Sequence, residues 1–169
     1  MISRYQVLSA RIATELEQIR HAADRATAAL RTNAAGEADR KFHVDSAALN
    51  LHAFYSGIEH LFEVIARELD GALPQGPAWH RELLRQMAME IPGARPAVLR
   101  PTTQSALEEY LRFRHLVRNV YAWEFAPDKL AVLVDRLPAA LHDLEVDLAR
   151  FREFLNAASR ADESASPAN

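Results

Sequence analysis

Cysteine is absent from the 169 residues, which excludes disulfide staples and thiolate metal sites. Turn formers are scarce as well, with five glycines and eight prolines, most of them in a few clusters. Neither sign of charge dominates. The formal net charge is -3, so no global field draws the chain to nucleic acid or anionic lipid, and any such contact has to be local. No apolar run approaches the roughly 20 residues that span a bilayer. The opening Met1-Ile2-Ser3-Arg4-Tyr5-Gln6 lacks the apolar core of a signal peptide. Period-two alternation, the mark of a half-buried strand, is missing throughout. These absences leave a soluble, cytoplasmic, all-α domain without membrane contact as the expectation.

What is present agrees with that. An apolar content of 49% suffices for one proper core, and the apolar residues recur at spacings of three and four. Tyr5, Leu8, Ile12, Leu16 and Ile19 form one stripe, predicting a helix over residues 3–31. A second helix is expected from Asp45 or Ser46 to Leu69, closed by Asp70-Gly71, where glycine supplies a left-handed terminus. A short helix follows over residues 78–90. Residues 91–101 carry three prolines and cannot be helical throughout. Thr102 or Thr103 is expected to cap a fourth helix running to Trp123 or Glu124, and Pro127 sits where the first turn of a fifth tolerates it. That last helix is predicted over residues 128–156, kinked at Pro138. The fold expectation is an antiparallel four- to five-helix bundle, one domain over residues 1–158 with a disordered tail over 159–169.

Chemistry concentrates in the fourth helix, in Tyr110-Leu111-Arg112-Phe113-Arg114-His115-Leu116-Val117-Arg118-Asn119-Val120-Tyr121. At 100° per residue, Ala106, Tyr110, Phe113, Val117, Val120 and Glu124 share the core face. Arg114, Arg118 and Tyr121 lie along one flank, while Arg112, His115 and Asn119 fall on the polar side. Two guanidiniums one turn apart can grip a phosphate through paired N–H donors, and His115 can carry protons near neutral pH. The competing reading is structural, because arginines beside a core stripe also snorkel and pair with acidic neighbours. The segment alone leaves both open.

The run Phe113-Arg114-His115-Leu116-Val117-Arg118-Asn119-Val120-Tyr121 resembles the signature of HEPN domains, in particular the HepT-like toxins of HEPN–MNT toxin–antitoxin pairs. The resemblance extends through residues 49–59, Trp79-His80-Arg81-Glu82-Leu83-Leu84 and Arg95-Pro96-Ala97-Val98. It implies a helical bundle that dimerises and acts on RNA as a metal-independent endoribonuclease, with no cofactor. The family motif is Arg, four to six residues, then His, often with Tyr two residues later. Arg114 matches the arginine and Tyr121 the tyrosine, but Asn119 stands at the histidine. In the chemistry the resemblance implies, that histidine helps to deprotonate the ribose 2′-hydroxyl, and an amide cannot do so. His115 is the alternative base named by position, and Arg118 and Arg112 are the further RNA contacts. Impaired catalysis and an inactivating replacement are the other readings of Asn119. The resemblance also implies a partner, an MNT-type nucleotidyltransferase antitoxin that adds AMP to Tyr121. On a regular helix Arg114 and Asn119 diverge by about 140°; a site built by two copies across a two-fold axis would bring them together, in line with the implied dimer, and a local distortion of the helix is the competing solution.

Other residues carry weaker signals. His52, Glu59, His60 and Glu63 have metal-like spacing on one helix, but no third ligand fits, and no metal is expected. Trp79-His80 reads as a packing anchor with a capping histidine. The alanines Ala22, Ala23, Ala26, Ala28 and Ala29 suit a close helix contact that a dimer could use. Arg95 and Arg100 read as solvated loop charges or a cationic rim.

Overall fold

The computed structural model describes residues 3–33, 35–119 and 126–165, the side chains of residues 119 and 165 excepted. Among them are five α-helices and no strand: α1 (Arg4–Arg31), α2 (Glu37–Ile65), α3 (Trp79–Met87), α4 (Pro101–Asn119) and α5 (Pro127–Ala165). The all-α expectation is met.

Helix α1 starts where Ser3 accepts the Tyr5 N–H and packs along α2 and α5. Leu8, Ile12 and Ile19 of its apolar stripe are buried. Four of its five noted alanines, Ala22, Ala23, Ala26 and Ala29, are consumed inside the chain rather than left for a partner. Helix α2 begins at Glu37, earlier than the apolar pattern predicts. Its first turn is acidic, with Glu37 and Asp39 favoured by the helix dipole, and Asp39 accepts the Ala35 N–H. The added turns carry little apolar face, which is why the periodicity missed them; Phe42 is exposed.

Helix α2 widens into a π-helical turn, Ala66–Asp70, and stops at Gly71, whose φ of 66° is the predicted left-handed terminus. The proline-rich connection is non-helical up to Arg100, as its prolines require, but the start of the next helix differs from expectation. Residues 91–95 close on themselves through an Ile91–Arg95 bridge, and α4 starts at Pro101, so neither threonine is its cap. Thr103 is instead fully buried with its hydroxyl unpartnered. Helix α5 holds Pro138 in its interior and continues to Ala165. Residues 159–165, expected as tail, are therefore helical; Ser159 is buried and Glu163 accepts a bond from Gln6. Helices α2, α3 and α4 meet around one core wall, built from Phe54, Tyr55, Ile58, Phe62, Leu83, Leu84 and Tyr110. The polar cluster described next is set into that wall.

Candidate functional site

Glu59 sits on the buried face of α2, one turn after Tyr55 and one before Phe62, and is itself only 5% exposed. A carboxylate there needs partners, because desolvating it alone is prohibitive. Both its oxygens are engaged. Oε1 lies 2.8 Å from Nη2 of Arg114 on α4, and Oε2 lies 2.6 Å from Nδ1 of His80 on α3. One side chain thus ties three helices together. The His80 ring packs against Trp79, centroids 3.6 Å apart, and meets the His115 ring edge-on at 5.2 Å.

The charges in this cluster shift one another in consistent directions. Burial, reinforced by the positive charge of Arg114 and Arg118, pushes His80 down to about 4. His115 is lowered by burial, then by His80 and Arg114; His52, across on α2, is lowered by burial and then by Arg114 and Arg118. Burial raises Glu59 against the pull of Arg114. With the imidazole of His80 lowered in this way and Glu59 ionised against Arg114, the 2.6 Å contact is a bond donated by His80 Nδ1–H to the carboxylate. Nε2 of His80 then carries the lone pair.

The residues singled out in the sequence fall in three places. Arg114, on the flank of the core stripe, is 8% exposed and turned inward to Glu59, the pairing with an acidic neighbour that the structural reading of that flank expects. Among the described residues its buried Nε and Nη1 have no hydrogen-bond partner. His115 likewise leaves the polar side for the α3 contact. Arg118 and Arg112 are exposed, and Arg112 bonds the Glu108 carbonyl. Asn119 closes the described part of α4. Its side chain, and all of Tyr121, lie outside the described residues.

Two expectations are corrected here. His80 is not a cap: Ala78 takes the N-cap position without a side-chain bond, and His80 turns to Glu59 instead. Arg95 and Arg100 are not free loop charges. Arg95 is buried and donates Nε and Nη2, one edge of its guanidinium, to the two carboxylate oxygens of Asp70, each at 2.7 Å. Arg100 binds Asp147 at 2.6 Å and Asp143 at 3.1 Å. Among the described residues no group of three or more His, Asp or Glu is placed to hold a metal ion, and no helix is long and apolar enough to cross a membrane.

A sequence profile of the HepT-like protein family matches residues 46–155. That span runs from α2 into α5 and holds Glu59, His80, Arg114 and His115. The chain belongs to the HepT-like family. No curated protein and no solved structure matches it significantly. In this HepT-like domain the described cluster contains Arg114, the arginine matched to the motif, together with Glu59 and His80. The latter two lie 21 residues apart on different helices, so no local spacing links them. The available signal was a carboxylate on a core face between Tyr55 and Phe62, which demands a buried cation or proton donor opposite.

Proposed function

We propose that this HepT-like domain is the toxin of a HEPN–MNT toxin–antitoxin pair, a metal-independent endoribonuclease working as a homodimer. In this reading Arg114 stabilises the negative charge that develops on the phosphorane during cleavage. Arg118 and Arg112, both exposed, bind the RNA backbone. AMP added to Tyr121 by the nucleotidyltransferase antitoxin introduces charge and bulk and silences the enzyme. The observation that supports this best is Arg114 itself. The guanidinium is anchored at one nitrogen by Glu59, while Nε and Nη1 have no acceptor among the described residues. Buried unpaired donors are costly in a merely structural ion pair, which supports a role for this guanidinium beyond packing.

A second reading has its own support. The inward pairing of Arg114 and the amide at position 119 also suit a HepT-like adaptor that docks a nucleotidyltransferase, or a nucleotide, without cutting RNA. Expression of the wild type, Asn119→His and Arg114→Ala without a partner separates the two through growth and RNA integrity. Toxicity of the wild type or of Asn119→His, suppressed by Arg114→Ala, supports the nuclease; inert behaviour of all three rejects it. Intact mass after co-expression with the transferase tests the AMP adduct, and Tyr121→Phe should abolish it.

A further inference from the structure

We propose that His80, held by Glu59, is the base that takes the ribose 2′-hydroxyl proton, the role that Asn119 cannot fill. The inference rests on the ribonuclease reading and deepens it. A carboxylate bonded to Nδ1 fixes one tautomer and one ring orientation, and it stabilises the imidazolium that forms when Nε2 accepts a proton. Glu59 and His80 have that relation at 2.6 Å, and the same carboxylate anchors Arg114. The proton acceptor and the phosphate-binding guanidinium are thereby set relative to each other by one side chain.

His80 and Arg114 are both buried, at 7% and 8% exposure, beneath the edge of the bundle where Trp79 is half-buried. Trp79, stacked on His80, also lines an open depression of about 380 Å³ with Glu63, Leu73, Pro74, Gln75 and Gly76. An indole at the edge of such a depression is a platform for a nucleobase, since every base has a face to stack.

The groups around His80 are Glu59 and Glu63 from α2 and Arg114, His115 and Arg118 from α4. Burial and the two arginines keep the imidazole neutral, so its lone pair is available. A bound phosphodiester cancels part of the arginine charge and raises the basicity of His80 when substrate is present. In the step itself the 2′-hydroxyl proton moves to Nε2 of His80 and the 2′-oxygen attacks phosphorus. The bond from phosphorus to the 5′-oxygen breaks, and that oxygen takes a proton returned through water. The products are a 2′,3′-cyclic phosphate and a free 5′-hydroxyl.

The test uses purified full-length chain and an oligoribonucleotide. His80→Ala should lower cleavage by about 10²–10⁴-fold, while binding of the 2′-O-methyl form of the same oligonucleotide stays within a few-fold. Added imidazole should restore cleavage in His80→Ala, a rescue that a purely structural role would not give. If His80→Ala does not fold, His80→Gln, whose amide can still donate to Glu59, should bind the 2′-O-methyl RNA without cleaving. Cleavage at the wild-type rate by His80→Gln, or loss in His80→Ala that imidazole leaves unchanged, overturns the assignment while the ribonuclease reading stands. An inert wild type with an active Asn119→His overturns it too. If both of those are inert, the ribonuclease reading itself is lost.

Discussion

Glu59 and Arg114 form a buried ion pair between α2 and α4, Oε1 to Nη2 2.8 Å, with side chains 6% and 10% exposed. Removing one partner of such a pair strands the other charge, at a cost of about 3–5 kcal/mol. Glu59→Ala should therefore lower stability by that order in urea denaturation, more than Glu82→Ala, which loses only an exposed contact with Arg85. The double variant Glu59→Ala/Arg114→Ala should recover part of the loss, with a coupling on the order of 1–3 kcal/mol. Strict additivity of the two single losses would show that the pair does not exist in solution.

Arg95 predicts a second stability hot spot. Its guanidinium is fully buried, forks onto Asp70 and reaches the carbonyls of Gln86, Met89 and Pro96. The bonds stitch the turn after α2 to the proline-rich connection before α4. Lysine offers a point charge without the planar fork, so Arg95→Lys should be destabilised by roughly 2–4 kcal/mol, within the cost of breaking a buried hydrogen-bonded charge. A melting temperature within a degree of wild type would refute the role.

Legibility in the sequence tracked how local the cause was. The stripe of Leu8, Ile12 and Ile19 announced α1 and its buried face, because helical period and core burial are the same pattern. Gly71 announced the end of the second helix, because only that position takes a positive φ there. The start of α2 was hidden, since residues 37–44 are held by an acidic first turn more than by apolar spacing. The position of Arg114 was hidden for another reason. A wheel places it beside the core stripe, but whether it snorkels outward or turns inward depends on an acceptor contributed by α2. Likewise Glu59 and His80 were each visible, yet only tertiary packing makes them a pair.

Gly57 shows the same dependence on a neighbouring helix. It lies in α2, where a Cβ would stand 3.0 Å from Cγ1 of Ile19 in α1. In an exposed helix Gly→Ala stabilises by about 1 kcal/mol. Here Ile19 is buried, and the crowding should cancel or exceed that gain. Gly57→Ala is expected to melt no higher than wild type, and Gly57→Val clearly lower. A higher melting temperature for Gly57→Ala would mean that α1 and α2 are less closely packed than described.

Stability should fall on acidification, and the sign follows from the histidines. His80, His52 and His115 all have lowered folded-state pKa values, burial being the first cause in each. Below the ordinary histidine value the unfolded chain binds protons that the folded chain refuses, so stability rises with pH through that interval. For His80 the interval runs from about 4 to 6.5. Glu59 acts with the opposite sign, its carboxyl being raised by burial, so it offsets part of the effect in the region just above its ordinary value. Urea midpoints should therefore drop between pH 7 and pH 5, and His80→Gln should show a visibly shallower drop. A midpoint that is flat or rises over this range would mean that these imidazoles are charged in the folded domain. His80 would then not be the neutral partner of Glu59 that the geometry describes.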